Sequence, residues 1–490
     1  MSDAFAAEAD WEHAPDATRL ARAITPRVAR HPLQSGIHPL EEGLDAFAAR
    51  YLLISLAERS IDVQYYIWQN DMSGRLLFSA LLEAAERGVK VRLLLDDNNT
   101  MGLDRTLSEL NRHANIDVRL FNPFSFRTLR ALGYLSDFAR LNRRMHNKSF
   151  TVDDIATIVG GRNIGDEYFA AGDEPLFSDL DVLAIGHVVK EVSEDFERYW
   201  RSRAVSPLQS VVDTADDAPG SAVRLPEEWR ANPQVQQYLQ RLHSTSFVTQ
   251  LESGELKLIW AKTRLLSDDP RKGLGRARAS TLLPQRMLEV IGTPRQQFDI
   301  ISAYFVPTRA GVAQLVALKR RGVNIAILTN SLAANDVSIV HAGYAKWRKR
   351  LLRRGIALYE MKPGNDAPDA THDRGLTGHS GSSLHAKTFS VDNQKVFIGS
   401  FNFDPRSAVL NTEMGFVIDS EALATAVHDR FTQRMRDKAW KLRLDRWGRI
   451  NWVEYEGEAG EVVHKHEPRT RLMQRLLVRL VWRLPIEWLL

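Results

Sequence analysis

Two stretches of this 490-residue chain carry the same polar residues in the same register. His146-Asn147-Lys148-Ser149-Phe150-Thr151-Val152-Asp153 leads to Gly160-Gly161-Arg162-Asn163, and His385-Ala386-Lys387-Thr388-Phe389-Ser390-Val391-Asp392 leads to Gly399-Ser400-Phe401-Asn402. In both, Lys follows His by two residues, Asp by seven and Asn by seventeen. One H-x-K-x-x-x-x-D match would be weak evidence, since a lone His or Lys is usually a surface residue. The doubled match is not chance, and it requires a chain that folds the same unit twice.

Hydrophobic patterning around the motifs repeats as well. Residues 60–68 (SIDVQYYIW) predict a buried strand, 74–87 an amphipathic helix ending at Gly88, and VKVRLLLDD a second strand. The same order recurs as FDIISAYFV at 298–306, a helix ending at Gly322, and VNIAILTN. Strand, helix and strand within so short a span mark a βαβ unit of a parallel sheet. The joints match too, ERGVKVRLLL against RRGVNIAILT.

Length and composition agree with two large domains: 490 residues exceed one ordinary core, and 44% hydrophobic with 26% charged residues is the globular range. The absence of cysteine excludes disulfides, thiolate metal sites and cysteine nucleophiles. A net charge of +4 is too small to imply nucleic acid as partner. The opening MSDAFAAEADWEHAPDATRL is acidic and unlike a secretory signal, and no apolar run reaches the ~18–20 residues that span a bilayer, so the expected location is cytoplasmic.

H-x-K-x-F-x-V-D reads as a strand from which His and Lys project into a site while the apolar residues enter the core. Each copy supplies one imidazole and one ammonium. Covalent displacement at phosphorus needs two imidazoles, a nucleophile and an acid that protonates the leaving alkoxide. Two copies therefore suit one shared site, in which Lys148, Lys387, Asn163 and Asn402 hold the nonbridging oxygens without a metal or other cofactor. Each imidazole also needs an acceptor that fixes its tautomer. Asp179 in FSDLDVLAIG is assigned to His146, with Asp181 as rival, and Glu413 in NTEMGFVID is assigned to His385. Asp153 and Asp392 are expected to be structural, bonding backbone or a basic side chain, alongside Gly160, Gly399 and Ser400 of the motif.

These residues resemble the phospholipase D superfamily, whose mark is the doubled HKD motif followed by G-G/S-x-N. More narrowly, SIDVQYYIWQNDMSGRLL, LNRRMHNKSFTVDD, GGRNIGDEYF and GSFNFDPRSAVLNTEMG are similar to the bacterial cardiolipin synthases, particularly the shorter type C branch. The resemblance runs from about residue 35 to the C-terminus. It implies an α/β fold of two phospholipase D-like α/β/α lobes from an internal duplication, related by a pseudo-twofold axis with the active site at their interface. It also implies a phosphohistidine intermediate, with His146 as nucleophile and His385 as acid and then base. Phosphatidylethanolamine or phosphatidylglycerol would donate a phosphatidyl group to phosphatidylglycerol. A phospholipase D releasing phosphatidate, a nuclease and a noncatalytic membrane-binding relative are the competing readings. Arg162 and Gly165 stand where the second copy has Phe401 and Asp404, so unequal half-sites are expected.

The expected division is an N-terminal extension (1–34), a first lobe (35–204), a linker (205–255), a second lobe (256–445) and a C-terminal segment (446–490). Gly, Ser and Asp in 362–383 suggest a rim or lid over the site. In RTRLMQRLLVRLVWRLPIEWLL, Arg471, Arg475, Arg479 and Arg483 recur every four residues beside a broad apolar face with Trp482 and Trp488. Such a helix suits the headgroup region of an anionic bilayer, which implies a protein held peripherally on the inner face of the plasma membrane. The basic clusters at Arg140–Arg144 and Lys346–Arg354 are candidates for phosphate contact, and His341 and Tyr344 for lining the site or for packing. A helper protein is not identified by any residue pattern.

Overall fold

The computed structural model describes residues 18–482 apart from 126, 128–129, 172–177, 213–221, 253–254, 336–337, 364–383 and 456–459. Most of the candidate lid, together with Arg483 and Trp488, therefore lies outside the described residues.

The first half contributes β1 (Ser35–Leu40), β2 (Ser60–Tyr65), β3 (Lys90–Asp96), β4 (Ile116–Phe121), β5 (Ser149–Val152), β6 (Ala156–Gly160), β7 (Asp181–Gly186) and β8 (Val205–Pro207). The second contributes β9 (Ile259–Ser267), β10 (Gln297–Ser302), β11 (Asn324–Asn330), β12 (Ala357–Met361), β13 (Lys387–Val391), β14 (Lys395–Gly399), β15 (Met414–Asp419) and β16 (Ala439–Leu444). Two further strands, β17 (Ile450–Tyr455) and β18 (Glu461–His464), follow.

Pairing orders the first set β8-β4-β3-β2-β5-β6-β7-β1 and the second β16-β12-β11-β10-β13-β14-β15-β9, position for position the same. In each, three parallel strands adjoin four antiparallel ones on one side, of which the motif strand is the first, and one antiparallel strand on the other. The sets meet where β1 pairs antiparallel with β9, Gly36 opposite Trp260, and a pseudo-twofold axis passes between those strands. An apolar cluster that includes Ile37, Val159, Val182, Ala261, Ile398 and Phe416 spans both lobes.

The matched joints are the same structure. Helix Met72–Glu86 ends with Gly88 N–H donating to the Ala85 carbonyl and Val89 N–H to that of Ala84; helix Thr308–Arg320 ends with the corresponding bonds from Gly322 and Val323 to Lys319 and Leu318. This pairing is a Schellman cap, and the φ of +99° at Gly88 and +92° at Gly322 explains why both copies keep glycine there.

Each motif strand is half of a hairpin. Asp153 and Asp154 (φ +54° and +56°) turn β5 into β6, and Asp392 and Asn393 (+54° and +51°) turn β13 into β14. With Ile155 N–H bonded to Val152 and Gln394 N–H to Val391, these are type I′ turns, which favour Asp and Asn at left-handed φ. The Asp153 carboxylate accepts from the backbone N–H groups of Glu58, Arg59 and Ser60, and Asp392 from those of Arg295, Gln296 and Gln297. The last motif residue thus fastens its hairpin to the strand that enters the sheet beside it.

Other parts of the chain do more than the sequence suggested. Within 205–255, β8 edges the first sheet, while helices Pro233–His243 and Ser246–Glu252 cover helix Gly43–Leu56. Within 446–490, β17 and β18 extend the second sheet before helix Leu472–Val481. Among the described residues no helix is long and apolar enough to cross a membrane.

Candidate active site

All eight polar residues singled out for chemistry lie at one end of the antiparallel strands. His146 and Lys148 immediately precede β5, while His385 precedes β13 and Lys387 begins it. Asn163 and Asn402 follow β6 and β14, and Asp179 and Glu413 come just before β7 and β15. The pseudo-twofold axis brings the two sets together.

The acids are exchanged between lobes. His146 Nδ1 lies 2.8 Å from Glu413 Oε2, and His385 Nδ1 lies 2.5 Å from Asp179 Oδ2. The sequence assignment had each acid serving the histidine of its own copy, and the structure reverses it. Two bridges across the axis give the reason. Met145 pairs with Thr412, with His146 N–H donating to the Thr412 carbonyl at 2.9 Å, and Ser178 pairs with Leu384, with His385 N–H donating to Ser178 at 2.9 Å. Each segment entering a motif therefore runs beside the segment delivering the other lobe's acid. The rival, Asp181, is committed elsewhere: it meets Arg50 Nη2 at 2.7 Å, both side chains about 1% exposed.

Bonding of Nδ1 to a carboxylate assigns the reacting nitrogen of each ring to Nε2. Lys148 Nζ donates to the His146 carbonyl at 2.6 Å, and Lys387 Nζ donates to that of His385, so each ammonium is placed next to its imidazole. Asn163 Nδ2 donates to Tyr168 Oη at 2.9 Å, while the Asn402 Oδ1 atom is buried without a partner among the described residues.

Charge distinguishes the half-sites. Burial and the Lys387 charge push His385 down to about 3. Burial raises the Asp179 carboxyl, but the charges of Lys387 and His385 outweigh it and hold Asp179 well below the usual carboxylate range. In the other half, burial pushes Glu413 up to about 7 against the pull of Lys148, and burial lowers His146 as well, helped by Lys148 and Lys387. Lys148 itself comes down to about 7, through burial and Lys387 opposed by Glu413. One imidazole therefore faces a firmly ionised carboxylate, and the other faces a carboxyl that titrates near neutrality.

The glycine pair after the motif differs for the same reason. A Cβ on Gly161 would sit 2.3 Å from Asp179 Oδ1, so this carboxylate needs glycine there. Ser400 occupies the matching place and donates through Oγ to Glu413 Oε2 at 2.5 Å. Gly160 and Gly399 pack with similar closeness against Asp181 and the Met414 carbonyl. Of the other unequal positions, Arg162 is buried and donates to the Leu40 and Asp179 carbonyls at 2.8 and 2.7 Å, whereas Phe401 joins the second core.

Several positioning residues escaped sequence reading. Asp96, ending β3, accepts from Met145 N–H at 2.7 Å, and Asn330, ending β11, donates to the Leu384 carbonyl at 2.9 Å, so each holds the residue before a motif histidine. Their identical place in the repeat was the available signal. Buried Asp268 accepts from Glu413 N–H at 3.0 Å and from Lys272 Nζ at 2.8 Å. Tyr66 packs edge-on against His146 and Tyr168 against His385, with ring centroids 5.0 and 5.2 Å apart.

Other candidates lie outside the site. Arg144 is buried on Asp96 and the Leu141 carbonyl, and Arg348 is buried on Glu360, so neither cluster is a uniformly free basic surface. His341 and Tyr344 pack against each other beside Arg348.

Comparison with known proteins matches this geometry. A family model described as the PLD-like domain of cardiolipin synthase matches residues 52–200 and again 287–435. Cardiolipin synthase C of Escherichia coli (strain K12) is 62% identical over 472 residues, covering 96% of this chain and all of that protein. Cardiolipin synthase A of Pseudomonas syringae is 28% identical over 387 residues, 78% of this chain and 65% of that one. In the solved structures, the phosphatidylserine synthase of Haemophilus influenzae Rd KW20 superposes with a TM-score of 0.60 at 15% identity, covering 96% of this chain and 100% of that one, a likeness of fold. With both motifs inside the two matched stretches and the identity running nearly end to end, the chain belongs to the cardiolipin synthase family of phospholipase D-like proteins.

Proposed function

We propose that this protein is a phosphatidyltransferase that makes cardiolipin from phosphatidylglycerol and a second phospholipid, phosphatidylglycerol or phosphatidylethanolamine, through a phosphohistidine. The observation that carries the reading is the pair of buried imidazoles, each bonded through Nδ1 to a carboxylate and flanked by its own lysine. High identity to a cardiolipin synthase C supports the choice of substrate.

In the first step His146 Nε2 attacks the donor phosphorus. The P–N bond forms, the P–O bond to the headgroup alcohol breaks, and His385 gives its Nε2 proton to the departing oxygen. In the second, a glycerol hydroxyl of phosphatidylglycerol attacks phosphorus, His385 takes the hydroxyl proton, and the P–N bond breaks to release cardiolipin and neutral His146. Lys148, Lys387, Asn163 and Asn402 stabilise the nonbridging oxygens as charge develops. The unequal carboxyls support this order. Ionised Asp179 opposes the burial and the Lys387 charge that hold His385 low, and so favours the protonated ring that the acid needs, whereas Glu413, raised to about 7, leaves His146 an uncharged nucleophile.

The C-terminal helix supports a peripheral place on an anionic bilayer. Val478 packs with Leu332, Ala342 and Ala345, but Leu472, Met473 and Leu480 remain more than 60% exposed, beside Arg471 and Arg479 and next to Trp482. An apolar row open to solvent within a basic helix suits a headgroup layer.

The test is incubation of purified protein, in EDTA, with phosphatidylglycerol vesicles with and without phosphatidylethanolamine, followed by separation of the lipids. Cardiolipin is the expected product, and its dependence on phosphatidylethanolamine identifies the donor. Phosphatidate without cardiolipin overturns the transferase in favour of a hydrolase.

A further inference from the structure

The two lobes differ most in what lies over the motif strand. In the second lobe a cavity of about 460 Å³ lies between helices Leu283–Ile291 and Thr308–Arg320 and the sheet. Its wall is almost wholly apolar, with Phe298, Phe389 and Leu315 among its residues, and Leu288 at its edge is 55% exposed. The lining begins at Gly292–Pro294, before β10, and ends at Val306–Thr308, beyond it.

One end of this slot is the catalytic loop. Phe401 and Phe403, the neighbours of Asn402, both line it, and Phe389 lies two residues beyond Lys387 on the same side of β13. A molecule bound here would extend away from the reacting phosphorus along the sheet.

In the first lobe aromatic side chains pack the corresponding region. Trp68 stacks on Phe78 with ring centroids 4.4 Å apart, and Phe47 meets Tyr238 of a covering helix at 5.3 Å. Counting back eleven residues from the two Schellman glycines, Gly88 and Gly322, places buried Leu77 opposite Gly311. Gly311 lines the cavity, and a Cβ added to it would come no nearer to its surroundings than 3.5 Å, to Phe403, with Pro307 next at 3.6 Å. The second copy has a hydrogen atom where the first has an isobutyl group, beside an open apolar slot.

We infer that this cavity takes one acyl chain of the phospholipid whose phosphodiester lies between His146 and His385. The inference rests on the phospholipid reading above and adds to it where the tail is held. An apolar cavity whose lining includes both neighbours of Asn402 has the chemistry that an acyl chain needs, and it would draw the lipid partly out of the bilayer so that its phosphate reaches a buried site. Occupancy of one lobe only would give donor and acceptor lipids different tail environments.

Gly311→Leu, which installs the first lobe's residue, tests this in the full-length protein. Transfer is measured with long-chain and with dihexanoyl phosphatidylglycerol, and the expected result is a tenfold or greater fall in the ratio of kcat/KM for the long chain over the short. An unchanged ratio overturns the inference. Should the variant fail to fold, the wild-type protein is photolabelled with phosphatidylglycerol bearing a diazirine at the end of one acyl chain. Adducts within residues 284–321 or 389–408, the segments that line the cavity, are expected, and adducts confined to other segments overturn the inference. Labelling does not depend on turnover, whereas absence of any lipid product from the wild-type protein would count against the phospholipid reading itself.

Discussion

Replacing Asp179 by Asn separates the crossed arrangement from the one in which each lobe serves itself. Asp179 is buried and bonds His385 Nδ1 at 2.5 Å, a charge-assisted hydrogen bond that contributes roughly 1.5–3 kcal/mol in the resting protein. Its larger effect is on the transition state, where the carboxylate stabilises the imidazolium and fixes the tautomer. Loss of such an orienting carboxylate elsewhere costs on the order of 10⁴ in turnover, which is about 5.5 kcal/mol of barrier. The assay is single-turnover cardiolipin formation, combined with nitrogen-15 chemical shifts of the imidazoles. The expected outcome is a fall in rate of roughly 10³–10⁴-fold, with the His385 ring signals moving and those of His146 in place. Signals that move for His146 and hold for His385 would refute the exchange of acids. Glu413→Gln is the reciprocal experiment, with the two histidines trading roles.

The lowered Lys148 and raised Glu413 both titrate at about 7, so kcat/KM is expected to fall as the pH rises through neutrality and Lys148 loses its cation. Because the groups interact, the apparent value belongs to the pair. Lys148→Arg should carry the alkaline limb upward, since guanidinium does not titrate there, and a limb that stays in place would contradict the assignment. Gly161→Ala should displace Asp179, whose oxygen would lie 2.3 Å from the new Cβ, and lower turnover about 10- to 100-fold; wild-type rates in a folded variant would count against that contact. Arg50→Met should cost about 3–5 kcal/mol in thermal unfolding by stranding buried Asp181, and Arg50→Met with Asp181→Leu should recover most of it. Deleting residues 469–490 should reduce co-sedimentation with anionic liposomes; undiminished binding would refute the membrane role of that helix.

Much of this molecule is legible in its sequence because the information is local and occurs twice. The His, Lys and Asn spacing follows from a hairpin of fixed length, whose I′ turn sets Asp seven residues after His, and the βαβ joints follow from a glycine that only a left-handed cap requires. Pairing of the acids was not legible. Asp179 follows His146 in sequence and Glu413 follows His385, yet proximity is set by the Met145–Thr412 and Ser178–Leu384 bridges, which form only across the axis. Asp268 and Lys272 were equally hidden, because an Asp-Asp-Pro-Arg-Lys stretch looks like a solvated turn until Glu413 is packed on it. β17 and β18 are short and half-exposed, and they continue a sheet edge that patterning alone does not reveal.

Exchange of the acids also sets when in the life of the chain chemistry can begin. Glu413 lies 267 residues after the histidine it orients, so a nascent chain that has completed its first lobe holds an imidazole without its carboxylate. His385 likewise depends on an acid from a lobe that must already be folded and docked. The seam between β1 and β9 therefore acts as an interlock: a half-made or half-unfolded protein cannot bring either motif histidine to its carboxylate.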